Sequence, residues 1–173
     1  AYAFESYAKV VVQELDGLVH SYATLNEPFC SSYLGYEIGT HAPGKKSRKQ
    51  GRQAAHHLLL AHGLAMRVLS KYSPNTENGI VLNFTTAYAN NDADELAAER
   101  ANQYFNHWYA KPLFDAAYPD VFDDLDDDDK PVIESGDLEI IAQPLDFLGV
   151  NYYTRTVYKD DGNNWFEECP TPN

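Results

Sequence analysis

The residues in this sequence that are best suited to acid–base chemistry lie in one short stretch, Thr24-Leu25-Asn26-Glu27-Pro28-Phe29. Residues 18–23, just before it, are apolar and aromatic, which predicts a buried strand. A carboxylate at the end of a buried strand is costly unless it has a partner or a task. Pro28 disfavours a helical conformation of the residue before it, so we expect Glu27 on an extended stem. From these residues alone, a general acid or base and a simple turn are equally good interpretations.

Three segments of the chain have apolar residues at helical spacing, and they predict the helices that hold this stretch in place. The first helix is expected to end near Asp16-Gly17, and the third to begin at a cap formed by Asp92 or Asp94 and to end at Pro112. The three apolar stripes are Phe4, Tyr7, Ala8, Val11 and Leu15; Ala55, Leu58, Leu59, His62, Ala65, Met66 and Leu69; and Ala97, Ala101, Tyr104, Phe105 and Trp108.

Two further buried strands are predicted, over residues 79–83 and 146–154. Three stretches are expected to be loops: Cys30 to Lys46, the acidic run Asp123 to Asp129, and the polar tail Lys159 to Asn173. The acidic run is a poor calcium loop, because it has neither the central glycine nor the terminal glutamate of an EF-hand.

The alternation of strands and helices predicts an α/β fold built from parallel β/α units. In a barrel of such units the active site lies at the C-terminal ends of the strands, which is where Glu27 is expected. A complete eight-stranded barrel needs roughly 250 residues, and this chain has 173. We therefore expect residues 1–173 to form a single incomplete barrel from the interior of a longer protein.

The amino-acid composition limits the molecules that the protein is expected to bind and the compartment in which it is expected to lie. The formal net charge is −13, from 13 basic and 26 acidic residues, so binding to nucleic acid is not expected. The sequence has no apolar run of about 20 residues, so no membrane span is expected. Cys30 and Cys169 have no metal-type spacing and are predicted to be free thiols in a reducing compartment, which favours a cytoplasmic location.

A basic run and three histidines are expected to have structural roles. The run consists of Lys45, Lys46, Arg48, Lys49 and Arg52, and it is predicted to be a solvated loop and helix start. His56, His57 and His62 lack the i, i+4 spacing of a helical zinc site and belong to no HExxH motif, so we expect packed or surface histidines and no metal.

Several blocks of the sequence resemble glycoside hydrolase family 1, the β-glucosidases and their relatives. Thr24 to Pro28 is similar to the family's acid/base signature. The other similar blocks follow in the family's order: Gly35-Tyr36, Gly39 and Ala42-Pro43-Gly44; residues 55–62; Gly79 to Asn83; residues 111–119, with Lys111 and Ala117 as departures; and Asp146 to Thr154.

The resemblance implies a partial TIM (β/α)8 barrel that covers about strands four to six with their helices, without strands one to three and seven to eight. It also implies hydrolysis of β-linked glucosides with retention of configuration and without a cofactor. Glu27 would be the general acid/base, with its pKa raised by partial burial and by a neighbouring anionic nucleophile.

The resemblance assigns roles to five further residues. Asn26 would hydrogen-bond the sugar's 2-hydroxyl, Asn151 would lie near Glu27, and Tyr153 would lie beside the nucleophile. Phe29 would line the leaving-group side, and Asn83 would face the sugar or the leaving group.

The sequence Thr76-Glu77-Asn78-Gly79 looks like the family's nucleophile motif, but its position argues against that role. Glu77 follows Glu27 by only 50 residues, whereas three strand–helix units of about 30 residues would separate strands four and seven. It also precedes its strand, at the N-terminal rim of the predicted barrel. We therefore expect the nucleophile to be missing from this chain, and the chain alone to be inactive.

Other functions stay open. A non-catalytic carbohydrate-binding or interaction module could use the same scaffold, although the retained Glu27 argues against it. Thioglucosidases resembling this family have glutamine at the Glu27 position, which disfavours that class. The sequence does not decide between plain and phosphorylated glycosides, among glucose, galactose and fucose, or the oligomeric state.

Overall fold

A computed structural model describes residues 1–170 of the chain. The described residues form one sheet with the strand order β1-β2-β3-β4. The strands are β1 (Ser21–Asn26), β2 (Glu77–Ala89), β3 (Phe147–Asp160) and β4 (Phe166–Glu168). The first three strands are parallel and β4 is antiparallel to β3. The predicted parallel β/α arrangement is therefore present.

Helices connect the parallel strands. The α-helices are α1 (Tyr2–Glu14), α2 (Arg48–Tyr72), α3 (Glu95–Asn102), α4 (Trp108–Asp115) and α5 (Asp137–Ile141), with π-helices at Cys30–Glu37 and Gln103–His107 and 3-10 turns at Asp92–Asp94 and Asp120–Phe122. Within residues 1–170, no helix is both long enough and apolar enough to cross a membrane.

The core lies between the sheet and the connecting helices. Alternate residues of β2 point to opposite faces of the sheet, and Ile80 and Leu82 are almost completely buried on the helix side. They belong to a cluster that includes Leu59 of α2 and Trp108 of α4, both fully buried. Each such side chain contributes about 1.5–3 kcal/mol through its burial. The helices are thus held against β2, the strand at the centre of the parallel sheet.

Two glycines allow β2 and β3 to approach closely near the base of the sheet. A Cβ atom added to Gly79 would lie 2.1 Å from the Phe147 carbonyl oxygen, and one added to Gly149 would lie 2.7 Å from Cγ2 of Val81. A side chain at either position would push the two strands apart. These glycines therefore maintain the register in which Asn83 is opposite Asn151.

Six local predictions were wrong. Two of the three strands that were expected to be buried are not, since β1 contains no buried residue and Tyr158 is the one buried residue of β3. The stretch after Glu27 contains the π-helix Cys30–Glu37 in place of a continuous loop, and part of the polar tail forms β4 because Trp165 and Phe166 pack on the main cluster. Pro112 lies inside α4, where it is buried. The helix ends at Asp115, and Ala116 caps it with a left-handed φ of 50°. Asn91, not an aspartate, provides the side-chain cap before α3, by accepting from the Ala93 N–H. The predicted loop at residues 171–173 lies outside the described residues.

Both faces of β3 carry exposed aromatic or apolar side chains. Val150 and Tyr152 alternate along the strand with Asn151 and Tyr153, and Tyr153 is 73% exposed. On α1, Tyr2 and Tyr7 are also more than half exposed. Strand β1 lies at one edge of the described sheet, because it pairs only with β2.

Candidate active site

Glu27 is the residue between the end of β1 and the start of a helical turn. The strand ends at Asn26, and the backbone is helical from Pro28 onward. Proline suits the first position of a helix because its fixed φ is already helical and its missing N–H has no partner there. The Glu27 N–H donates to the Val81 carbonyl oxygen at 2.9 Å.

The backbone of Glu27 is in the left-handed region, with φ of 48°. The prediction of an extended conformation at Glu27, made from Pro28, is therefore wrong. The left-handed backbone of Glu27 turns the chain from a strand directly into a helical turn. A non-glycine residue in this region costs on the order of 1–3 kcal/mol, and such strain is typical of functional sites. The strain must be offset by the contacts that the residue makes.

The two carboxylate oxygens of Glu27 have different partners. Oε1 accepts hydrogen bonds from the Tyr153 hydroxyl at 2.6 Å and from the Asn151 amide at 2.8 Å. Oε2 accepts one from the Cys30 thiol at 3.2 Å. Asn151 and Tyr153 are two residues apart on β3, so the pleat places their side chains on the same face. The structure thus brings Glu27 together with two of the predicted binding residues.

Hydrogen bonds to the carboxylate form lower the pKa of Glu27. The largest cause is the Tyr153 hydroxyl, partial burial opposes it, and Asn151 and Cys30 add to the lowering. The predicted increase in this pKa depended on a neighbouring anionic nucleophile. Within residues 1–170, hydrogen bonds lower the pKa of Glu27 more than partial burial raises it. The predicted increase, which also requires the nucleophile, stays a prediction.

Asn26 joins the same network through Asn151. The Asn151 amide nitrogen donates to Asn26 Oδ1 at 3.1 Å as well as to Glu27 Oε1. An amide has two N–H groups, so both hydrogen bonds can exist at once. The Asn151 side chain thereby connects β3 with the C-terminal end of β1 across β2. Asn26 itself is exposed.

Asn83 and Phe29 lie around a neighbouring cavity of about 290 Å³. Phe29 stacks on Tyr33 at 4.9 Å between ring centroids and contacts Phe105 edge to face at 6.2 Å. Other residues that line the cavity are Leu34, Ile38, Thr85, Asn106, Thr156, Tyr158 and Glu168. The predicted roles of Phe29 and Asn83 toward a leaving group or a sugar stay predictions.

Glu77 lies at the opposite end of the sheet from Glu27. It is the first residue of β2 and pairs with Ser21, the first residue of β1. Strand β1 has six residues, which span about 20 Å. The Glu77 side chain is mostly exposed, with His20 Nε2 at 3.9 Å from its Oε2. This position is the N-terminal rim that the sequence predicted for Glu77.

The contact of Cys30 with Glu27 was missed by the sequence analysis. Cys30 follows Glu27 by three residues, and its N–H donates to the Glu27 carbonyl at 2.9 Å. Residues three apart on a helical turn are neighbours. A helical turn starting at Pro28 would have predicted the contact, whereas the expected loop did not.

A buried ion pair behind the site was also missed. Arg52 is only 1% exposed, and its Nε and Nη2 atoms lie 2.8 and 2.7 Å from Glu37 Oε2. The Tyr104 hydroxyl donates to the other oxygen of Glu37, and the guanidinium lies 3.8 Å from the centre of the Tyr104 ring. The prediction of a fully solvated basic run was therefore wrong at Arg52, although the other four members are exposed.

Two buried histidines have protein partners, as expected for packed histidines. His56 contacts Asp137 Oδ2 at 3.0 Å through Nε2 and the Tyr118 hydroxyl at 2.9 Å through Nδ1. His62 Nδ1 lies 2.7 Å from the Thr24 hydroxyl of β1. The part of the chain that the structure describes contains no group of three or more His, Cys, Asp or Glu residues arranged to hold a metal ion.

The chain is similar to known proteins in sequence and in fold. The profile of Glycosyl hydrolase family 1 matches residues 1–171. The chain is 40% identical over 163 residues to a β-glucosidase from Agrobacterium sp. (strain ATCC 21400), an alignment that covers 93% of this chain and 36% of the relative. This chain thus spans about a third of that relative's length.

Solved structures share the fold. Virulence factor SghA from Agrobacterium tumefaciens matches with a TM-score of 0.92 and 36% identity, over 99% of this chain and 40% of that one. The family 1 β-glucosidase from Exiguobacterium antarcticum B7 matches with a TM-score of 0.88 and 34% identity, over 97% and 40% of the two chains. The α/β sheet described above is therefore part of a (β/α)8 barrel, and the chain belongs to Glycosyl hydrolase family 1.

Proposed function

We propose that this chain supplies the general acid/base, Glu27, of a retaining β-glycosidase that acts on β-linked glucosides. The proposal depends on one observation above all: Glu27, at the C-terminal end of β1, has neutral hydrogen-bond donors on both oxygens. Such a carboxyl can change its protonation state without breaking an ion pair. The names of the relatives support the substrate class, since a β-glucosidase is among them and SghA was solved with its substrate analogue salicin.

Retention of configuration requires two carboxyl groups about 5–5.5 Å apart. The negative charge of a neighbouring nucleophile would counteract the lowering of the Glu27 pKa by its hydrogen bonds, and would keep Glu27 protonated for the first step. In that step, the carboxylate nucleophile attacks the anomeric carbon while Glu27 gives its proton to the departing oxygen. In the second step, Glu27 takes a proton from a water molecule that releases the sugar. We propose that the nucleophile comes from sequence outside these 173 residues, because Glu77 lies at the wrong end of the sheet.

The first test compares the chain alone with a complete barrel. The 173 residues, assayed by themselves, are expected to release no nitrophenol from 4-nitrophenyl β-glucoside. Grafted in place of the matching third of the Agrobacterium sp. enzyme, they are expected to support hydrolysis with a β-configured first product. Activity of the isolated chain that Glu77→Gln abolishes would contradict the proposal.

Two substrates with different leaving groups test the role of Glu27 in the complete barrel formed by the graft. Glu27→Gln is expected to lower kcat/KM for an alkyl β-glucoside by about 10²–10⁴-fold, the usual contribution of a general acid. For a 2,4-dinitrophenyl β-glucoside the loss should be less than about tenfold, because this leaving group departs without a proton. Azide should restore turnover and give β-glucosyl azide. Glucoside binding without hydrolysis by the unmutated barrel would favour the alternative, a non-catalytic carbohydrate-binding module.

A further inference from the structure

The partners of the two Glu27 oxygens differ in strength. Oε1 accepts from a hydroxyl at 2.6 Å and from an amide at 2.8 Å. Oε2 accepts only from the Cys30 thiol among residues 1–170, at 3.2 Å. A thiol is a weak donor and also a weak acceptor, and its hydrogen can rotate. Oε1 is therefore held by two strong donors, whereas Oε2 has one weak donor whose hydrogen can rotate.

A thiol can be a partner of Glu27 in both of its charge states. It donates to Oε2 of the carboxylate, and it can rotate to accept from a proton on Oε2. The Tyr153 hydroxyl can rotate in the same way at Oε1. Cys30 is therefore the group that holds Oε2 whether Glu27 is ionised or neutral.

The thiol is held firmly in this place. Cys30 begins the π-helix Cys30–Glu37, whose far end is anchored by the Glu37–Arg52 ion pair. Within the same segment, the Ser32 hydroxyl donates to the Pro28 carbonyl at 2.7 Å. The position of Sγ is thus set by the fold.

The charge state of the thiol suits this role. Burial, together with the hydrogen bond and the negative charge of Glu27, raises the pKa of Cys30 to about 11. The thiol therefore stays protonated and uncharged near neutral pH. The other titratable group facing Glu27 is Tyr153 on β3, and β2 faces it through the Val81 carbonyl.

We propose that Cys30 is a positioning residue for the acid/base carboxyl, acting through its hydrogen bond to Oε2 of Glu27. This inference rests on the proposed function. In the first step the carboxyl proton passes to the glycosidic oxygen, which keeps the electron pair of its bond to the anomeric carbon as a carboxylate nucleophile forms the new bond. In the second step Glu27 takes a proton from water while the water oxygen displaces that carboxylate. Cys30 donates to Oε2 whenever Glu27 is ionised.

The first experiment requires no activity and uses the 173-residue chain. Cys169→Ser leaves Cys30 as its single thiol, and the rate of alkylation by iodoacetamide is followed between about pH 8 and 9. Glu27→Gln removes the negative charge beside the thiol, so Cys30 should react about 3–10-fold faster. Glu77→Gln, at the other end of the sheet, is the matched control and should change nothing. Equal rates for the two variants would overturn the contact on which the proposal depends.

The second experiment measures the pH profile of kcat/KM for an alkyl β-glucoside in the complete barrel. Cys30→Ser places a stronger donor on Oε2 and should lower the pKa of the basic limb by about 0.5 unit, whereas Cys30→Ala removes the donor and should raise it by a similar amount. If Cys30 only stabilised the fold, Cys30→Ser and Cys30→Ala would not shift the pKa of the basic limb in opposite directions. Shifts of the same sign, or none, would overturn the proposal. A complete barrel without hydrolysis would instead refute the proposed function, and the alkylation rates would still decide whether the thiol contacts Glu27.

Discussion

Glu27 and Glu37 are ten residues apart on one continuous segment, and their surroundings differ in one decisive way. Each carboxylate accepts a hydrogen bond from a tyrosine, Tyr153 for Glu27 and Tyr104 for Glu37. Glu37 is also paired with the buried guanidinium of Arg52, which cannot lose its proton. A carboxylate with a permanent cationic partner stabilises the fold, whereas one with neutral donors is free to exchange a proton. The following predictions test this contrast.

The largest effect is expected from removing the cation. Arg52→Ala would leave Glu37 partly buried without its partner, so the free energy of unfolding should fall by about 3–5 kcal/mol. Urea denaturation of the 173-residue chain measures it. Arg67→Ala, at an exposed position on the same helix, is the control and should change the value by less than about 0.5 kcal/mol. Similar losses in the two variants would show that the ion pair is unimportant.

The next effect is a loss of stability on acidification. Burial lowers the pKa of His62 to about 4, below its unfolded value of about 6.5. The unfolded chain therefore binds a proton first, and stability that is complete above pH 6.5 is lost as the pH falls toward 4. The loss can reach about 3 kcal/mol.

Denaturation at several pH values checks this prediction. His62→Gln should flatten the dependence between about pH 6.5 and 4, whereas His41→Gln, on an exposed loop, should leave it unchanged. His62 contacts Thr24 of β1, so the same protonation should loosen the strand that leads to Glu27. An unchanged slope in His62→Gln would assign the acid sensitivity to other groups.

The smallest effect is expected at Glu27 itself. In Glu27→Gln the amide oxygen can replace Oε1 toward Tyr153 and Asn151, and the amide nitrogen can face the Cys30 sulfur as its acceptor. The free energy of unfolding should therefore change by less than about 0.5 kcal/mol. Glu37→Gln, which removes the anion beside Arg52, should cost several times more. Equal costs for the two substitutions would remove the distinction between the two glutamates.

The sequence predicted the parts of this structure that depend on periodicity and on strand order. The stripe in α2 and the buried strand at residues 79–83 identified the core, and the position of Glu27 after its strand placed it at the C-terminal end of the sheet. The rejection of Glu77 followed from the same reasoning, because a residue before a strand cannot lie at that end.

What the sequence did not predict depends on tertiary contacts. The π-helix Cys30–Glu37 lies in a segment rich in glycine and tyrosine, and its last residue, Glu37, pairs with a buried cation 15 residues away. Two of the three hydrogen bonds that lower the pKa of Glu27 come from Tyr153 and Asn151, more than 120 positions further along the chain. Spacing within the sequence contains no information on such pairs, so periodicity alone could not reveal them.

The two glycines at the base of β2 and β3 have an evolutionary consequence. A Cβ atom at Gly79 would overlap the Phe147 backbone, and one at Gly149 would press on the Val81 side chain, so a single substitution at either position should disturb the packing of β2 against β3. A saturation library selected only for folding should therefore be depleted of all alternatives there, yet accept many at Tyr153, which is 73% exposed. Selection for folding alone would therefore constrain the two glycines, whereas a constraint at Tyr153 would have to come from its hydrogen bond to Glu27.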